Sequence, residues 1–145
     1  IKEQIRIAAG ERLSVRQKDV QFQGHAIECR INAEDPFNNF TPSPGRLELF
    51  IPAGGPNVRV DSHAYSGYRI PTYYDSMIGK IIAHGDTREQ AIARMRVALS
   101  ELAVEGIKTN TKLHRELLAD ERFFQGGTSI HYLEEKLRSR AEAHK

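Results

Sequence analysis

Three polar side chains, Glu28, Arg30 and Asn32, alternate with smaller or aliphatic residues in the stretch GHAIECRINAEDP, residues 24–36. Successive side chains of a β-strand point to opposite faces, so these three are predicted to share one face, about 7 Å apart along the strand. An arginine between a carboxylate and an amide is held in one orientation and presents a planar set of N–H donors. Such donors suit an anionic ligand, or an oxyanion that develops during a reaction.

The other face of this strand, formed by Ile27, Cys29, Ile31 and Ala33, is expected to enter the core. Cys29 is therefore interpreted as a small buried hydrophobic residue. The polar face has two interpretations. It is either the solvated outer face of an antiparallel sheet, where charged residues are common, or the wall of a cleft that binds a ligand. The spacing does not distinguish them.

Other residues with chemical potential have weaker patterns. In YYDSMIGK, residues 73–80, Asp75 precedes Ser76, but the sequence places no histidine to activate the serine, so we predict a loop held by hydrogen bonds. The histidines at positions 25, 63, 84, 114, 131 and 144 show no paired ligand spacing, and no protein-only metal site is predicted. The segment GGTS, residues 126–129, lacks the continuation of a P-loop and is predicted to be a turn.

Strand patterns precede helix patterns along the chain. Strands are predicted over residues 20–34, 46–51, 58–63 and 79–85, with a further short strand in the connector 11–20. Thr87 and Gln90 have capping-box spacing, and an apolar stripe follows, which predicts a helix over 87–103. Further helices are predicted over 111–120 and from 130 onwards, with a loop at 123–129. The order predicts an α+β fold, with a mainly antiparallel sheet and flanking helices.

Composition indicates one ordinary folded domain. The chain has 145 residues, 39% hydrophobic and 28% charged, with a net charge of +2. This mild charge disfavours a dedicated nucleic-acid binder, and no apolar stretch is long enough to cross a membrane. The single cysteine excludes an internal disulfide and fits a reducing cytoplasm. The opening IKEQIRIAAG has helical spacing without a capping residue, which predicts that the chain starts inside a helix of a preceding domain.

Six blocks in order resemble one known family: HAIECRINAEDP, TPSPGRL, YYDSMIGKIIAHG, REQAIARMRVAL, GIKTN and GGTSIHYLE. Together they are similar to the C-terminal domain of biotin carboxylase, most closely the bacterial subunit of acetyl-CoA carboxylase. The resemblance implies an ATP-grasp ligase that uses ATP, Mg²⁺ or Mn²⁺ and bicarbonate to carboxylate biotin on a carrier protein, in fatty acid biosynthesis. It also implies a homodimer that works with carboxyltransferase subunits.

The resemblance assigns roles to residues at matching positions. Arg30 matches the arginine that faces the ureido oxygen of biotin and the bicarbonate, and Glu28 and Asn32 are the orienters that the strand period suggests for it. Ile130 and His131 match an edge of the nucleotide pocket, although Ile130 taken alone would be interpreted as core and His131 as surface. Arg59 and Pro56 match the dimer interface, where bacterial members commonly have an aromatic residue instead of Pro56.

The resemblance also predicts the domain division. Residues 1–10 match the tail of a helix of the preceding ATP-grasp domain, and residues 11–145 match the biotin carboxylase C-terminal domain. The family's nucleotide-binding lysines and metal-binding carboxylates fall in upstream domains, so the chain alone is expected to be inactive. Two alternatives stay open: a non-catalytic module for dimerisation or carrier binding, and the equivalent domain of a pyruvate or acyl-CoA carboxylase.

Overall fold

The computed structural model describes the backbone of residues 1–143 and the side chains of residues 1–140. In this part of the chain the strands are β1 His25–Asn32, β2 Glu34–Asp35, β3 Thr41–Pro42, β4 Gly45–Arg46, β5 Leu49–Ile51, β6 Val58–Ser62, β7 Arg69–Ile70, β8 Met77–Gly85 and β9 Ala103–Glu105. The helices are α1 Lys2–Ala8, α2 Arg88–Glu101, α3 Thr111–Leu118, α4 Glu121–Gln125 and α5 Tyr132–Ala143, with one turn of 3₁₀ helix at Gln17–Asp19.

The main sheet has three antiparallel strands in the order β1-β8-β6. Three smaller antiparallel ladders, β2-β3, β4-β7 and β5-β9, extend the structure beyond it. Strands precede most helices along the chain, and the described ladders are antiparallel. The α+β fold with a mainly antiparallel sheet and flanking helices is therefore confirmed.

The core lies between one face of the main sheet and α2. Cys29 pairs with Ile81 and Ile31 pairs with Gly79, so the buried residues of β1 and β8 lie side by side on that face. Helix α2 contributes an apolar stripe that begins at Ile92. The largest fully buried side chains are Leu47, Ile78, Ile81, Ile92, Met95 and Leu99. The predicted inward face of β1 is thus confirmed.

The start of α2 follows the predicted capping chemistry. The Thr87 hydroxyl accepts a hydrogen bond from the Gln90 amide N–H at 3.3 Å. The Gln90 side chain reaches back to the backbone N–H of Asp86 at 3.0 Å, one residue before the N-cap. These two bonds satisfy N–H groups that have no partner within the helix, and they fix where the chain turns from β8 into α2.

Four local predictions are wrong. Residues 20–24 lie outside β1, which begins after Gly24 at a φ of +68°. The predicted strand 46–51 is divided, because Leu47 bonds to Tyr68 beside β7 whereas Glu48 bonds to Glu105 of β9. Residues 123–125 are helical, since Asp120 caps α4 through the N–H of Arg122. The connector 11–20 holds a 3₁₀ turn rather than a strand.

None of the helices in residues 1–143 is long and apolar enough to cross a membrane.

Candidate functional site

Arg30 lies on the outer face of the main sheet, opposite the α2 side. Its side chain is 67% exposed. The Nε–H donates to the Oε1 of Glu28 at 3.0 Å, which is the contact predicted for an orienting carboxylate. The terminal guanidinium nitrogens donate to no other side chain or carbonyl in the described residues. The N–H groups at the tip are therefore available to an external acceptor, while the base of the guanidinium is held.

Charged side chains on this face form a row across the sheet. Arg30 pairs with Lys80, which pairs with Asp61 on the other side. The Arg59 guanidinium donates to Asp61 through Nε at 2.9 Å and Nη2 at 2.7 Å, and this contact holds the pKa of that carboxyl below its usual range. Arg30 and Lys80 are cations directly opposite each other and repel, and the neighbouring carboxylates of Glu28 and Asp61 offset part of this repulsion.

Asn32 does not contact Arg30. The register shifts between Ile31 and Asn32, and the Asn32 amide instead lies 3.5 Å from both carboxylate oxygens of Glu34. The predicted role of Asn32 as an orienter of Arg30 is therefore wrong in this structure. Asn32 shares its face of the strand with Glu34, two residues on, as well as with Arg30, and its amide lies beside the Glu34 carboxylate rather than the Arg30 guanidinium.

The segment around Asp75 and Ser76 is held by hydrogen bonds, as predicted. Asp75 Oδ1 accepts from the N–H of Met77 at 2.7 Å, and the Ser76 hydroxyl bonds to the Glu34 carboxylate. The Ser76 carbonyl also accepts from the N–H of Ala33 at 2.8 Å. Asp75 thus holds the start of β8, and Ser76 joins that start to Ala33 and Glu34 at the junction of β1 and β2, which supports a structural role.

Cys29 lies on the buried face, as predicted, with 4% of its surface exposed. Burial raises the pKa of the Cys29 thiol to about 12, with a smaller contribution from the charge of Glu28. A thiol with so high a pKa is a poor nucleophile at neutral pH. Its neighbour Arg30 faces the opposite way, so the strand separates an inert thiol from an exposed guanidinium.

Two further residues contact the backbone at Arg30 and were not found from the sequence. Asn110, just before α3, donates its Nδ2–H to the Arg30 carbonyl at 3.0 Å. His114, one turn into α3, has its Nε2 2.8 Å from the same oxygen. They are 80 and 84 residues from Arg30 in sequence, and no spacing rule connects them.

Ile130 and His131 lie together at the start of α5, far along the chain from β1. The Ile130 side chain is 91% exposed, so its interpretation as a core residue is wrong. His131 is also exposed, and its Nδ1 lies 3.5 Å from Glu134. The preceding GGTS segment has no regular secondary structure, and both of its glycines have positive φ.

Pro56 lies on the loop that leads into β6, and Arg59 is the second residue of that strand. Arg59 is on the outer sheet face and 74% exposed. Pro56 lines a groove of about 500 Å³ between this loop and α2, together with Val97. Pro56 therefore lies beside α2, whereas Arg59 lies on the sheet face opposite α2.

No group of three or more histidine, cysteine, aspartate or glutamate side chains in the described residues is placed to hold a metal ion. One of the six histidines, His144, lies outside those residues. The described residues therefore do not fit a divalent cation without ligands from elsewhere.

Comparison with known proteins identifies a family. The family described as "Biotin carboxylase C-terminal domain" matches residues 28–135. Biotin carboxylase of Pseudomonas aeruginosa is 60% identical over 137 residues, which cover 94% of this chain and 30% of that protein. A pyruvate carboxylase subunit of Methanothermobacter thermautotrophicus is 48% identical over 135 residues, covering 93% of this chain and 28% of that protein.

The structure is likewise similar to a solved biotin carboxylase domain. The biotin carboxylase domain dimer of Hydrogenobacter thermophilus 2-oxoglutarate carboxylase, solved with MgADP, ADP and bicarbonate, superposes with a TM-score of 0.87 at 46% identity. That match covers 91% of this chain and 29% of the solved chain. The chain thus spans about 30% of the length of the curated relatives it matches.

Proposed function

The chain belongs to the biotin carboxylase C-terminal domain family, and we propose that it completes the active site of an ATP- and bicarbonate-dependent biotin carboxylase. In that role it would provide one wall of the site, with the rest of the catalytic residues supplied by sequence outside these 145 residues. The coarse assignment, a domain of a biotin-dependent carboxylase, rests on relatives that include both biotin carboxylases and a pyruvate carboxylase subunit.

The observation that carries the proposal is the placement of Arg30. Its guanidinium is held at Nε by Glu28, stands opposite Lys80, and has an exposed tip. Carboxylation of biotin at its ureido nitrogen requires that nitrogen to lose its proton, which places negative charge on the ureido oxygen. A guanidinium that is already oriented stabilises this charge without reorganising, and it also suits bicarbonate as a ligand.

Nucleotide binding would involve the start of α5. We propose that Ile130 packs against the adenine base of ATP and that His131 lies at the edge of the same pocket. The 91% exposure of Ile130 supports this, because a large apolar side chain so exposed gains free energy when a flat apolar surface covers it. Mg²⁺ or Mn²⁺ would need ligands from outside the described residues.

The proposed partners follow from the same family assignment. They are a biotin carboxyl carrier protein, carboxyltransferase subunits and a second copy of the chain that meets it through Arg59 and Pro56. The 2-oxoglutarate carboxylase neighbour is described as a dimer. We propose a cytoplasmic acetyl-CoA carboxylase of fatty acid biosynthesis rather than a pyruvate or acyl-CoA carboxylase, on the resemblance of the six sequence blocks to the bacterial subunit.

The experiment places this chain as the C-terminal segment of a full-length biotin carboxylase, in exchange for the matching segment of the Pseudomonas aeruginosa protein. Arg30→Ala is expected to lower the rate of ATP-dependent biotin carboxylation by about 100- to 1,000-fold, the cost of removing one preorganised donor. Arg30→Lys should be nearly as impaired, because an ammonium lacks the planar set of donors. The thermal unfolding temperature of both variants should change little, since the Arg30 side chain is exposed.

Arg96→Ala is the matched control, because Arg96 is an exposed arginine on α2, on the other side of the sheet. It should keep full activity. The 145-residue chain alone serves as a blank and should not carboxylate biotin. Near wild-type carboxylation by Arg30→Ala would remove Arg30 from this role. A non-catalytic module for dimerisation or carrier binding would then account better for the chain.

A further inference from the structure

Strand β1 is an edge strand of the main sheet, since the order is β1-β8-β6. One edge of β1 pairs with β8 along its whole length, and the other edge has no neighbouring strand in the described residues. An unpaired edge leaves backbone N–H and C=O groups that need partners. At Arg30 and Asn32 those partners come from the start of α3 instead of from another strand.

Asn110 completes this edge as a strand would. Its backbone N–H donates to the Asn32 carbonyl at 3.2 Å, and its Oδ1 accepts the Asn32 N–H at 2.9 Å. Its Nδ2–H donates to the Arg30 carbonyl at 3.0 Å. The side-chain amide therefore substitutes for a peptide group of a neighbouring strand. Asn110 is 8% exposed and is the buried polar residue of the described chain, which fits a residue whose bonds are all internal.

His114 adds a second donor to the same carbonyl. The distance from its Nε2 to the Arg30 oxygen is 2.8 Å. A carbonyl only accepts, so the imidazole proton must lie on Nε2. Burial lowers the pKa of His114, which favours the neutral ring, and the hydrogen bond to the carbonyl places its proton on Nε2. Both lone pairs of the Arg30 carbonyl are then occupied, one by Asn110 and one by His114.

We propose that Asn110 and His114 are positioning residues that fix the backbone of Arg30, so that its guanidinium, already held by Glu28, meets the reacting group at the right distance. This inference rests on the proposed function of Arg30. It adds that α3 fixes the position of the Arg30 guanidinium, although α3 supplies no group that binds the ligand. A misplacement of about 1 Å at a reacting group costs up to about 100-fold in rate, so loss of these bonds should act on catalysis.

The test uses the same full-length chimaera and three variants. His114→Leu removes the donor at similar size, His114→Gln replaces Nε2–H with an amide N–H, and Asn110→Asp keeps the acceptor for Asn32 but loses the donor to Arg30. His114→Leu and Asn110→Asp are expected to lower kcat for biotin carboxylation by about 10- to 100-fold, with KM for ATP unchanged. His114→Gln should recover activity to within about threefold of wild type.

The deciding measurement is a double-mutant cycle with Arg30→Ala. If α3 acts through Arg30, His114→Leu and Asn110→Asp should change the residual rate of Arg30→Ala by less than about twofold. The inference would be overturned if the α3 variants lowered the rate of Arg30→Ala by the same factor as they lower that of wild type. It would also be overturned if His114→Leu were as active as wild type. Should His114→Leu fail to fold, Asn110→Asp, which keeps the size of its side chain, carries the same comparison. An inactive Arg30→Ala beside fully active α3 variants refutes this inference alone, whereas a fully active Arg30→Ala refutes the proposed function.

Discussion

The thiol of Cys29 can report which way the side chains of β1 face, because it is the single cysteine of the chain. Arg30 follows it directly and must point to the opposite side of the sheet. If Cys29 is sealed in the core, the outward placement of Arg30 follows from strand geometry. The perturbation is alkylation by iodoacetamide at pH 8, with mass spectrometry to follow the gain of one adduct.

The expected rate follows from the pKa of the thiol. Burial raises it to about 12, from an ordinary value of 9.0. Only the thiolate reacts, so at pH 8 the reactive fraction falls from roughly one in ten to roughly one in ten thousand. Labelling of the folded chain should therefore be at least about 1,000-fold slower than labelling of the same chain in denaturant. Steric exclusion at 4% exposure can only enlarge that ratio.

A matched variant controls for reagent and pH. Cys29→Ala combined with Ala26→Cys moves the thiol to an exposed position of the same strand. It should label at nearly the same rate with and without denaturant. Native labelling of Cys29 within about tenfold of the denatured rate would show that this face is open. The alternation along β1, and with it the outward direction of Arg30, would then be refuted.

Two further predictions concern stability. Gly106 has a φ of +95°, and a Cβ there would lie 2.3 Å from the Arg46 carbonyl oxygen, so Gly106→Ala should lower the unfolding free energy by about 2–4 kcal/mol in urea denaturation. Gly54→Ala, with nothing within 4 Å, should cost far less, and equal losses would contradict the clash. Burial lowers the pKa of His114 below its ordinary value of 6.5, so the unfolded chain binds this proton at a higher pH than the folded chain does. The free energy of unfolding should therefore fall as the pH drops from about 7.5 to 5.5. His114→Gln should lose less stability over this range in the same assay, and a loss equal to that of wild type would contradict the linkage.

Local patterns in the sequence determined most elements of the fold. Helix α2 was predicted from Thr87, Gln90 and the apolar stripe, because capping and helical periodicity involve residues three or four apart. The predicted strands 58–63 and 79–85 match β6 and β8 to within two residues. Errors arose where a partner far along the chain decides the outcome. The split between β4 and β5 is an example, since Leu47 and Glu48 bond to different strands.

The candidate site divides in the same way. The sequence by itself determined that Glu28 and Arg30 share a face, that Cys29 faces the other way, and that the motif around Arg30 belongs to a known family. These are properties of strand period and residue type, which are local. The tertiary structure alone decided that the Asn32 amide lies beside Glu34 rather than Arg30, and that Asn110 and His114 contact the Arg30 carbonyl from 80 and 84 residues away. Such contacts depend on where α3 meets an edge strand, and no local spacing in the sequence records a contact between residues 80 positions apart.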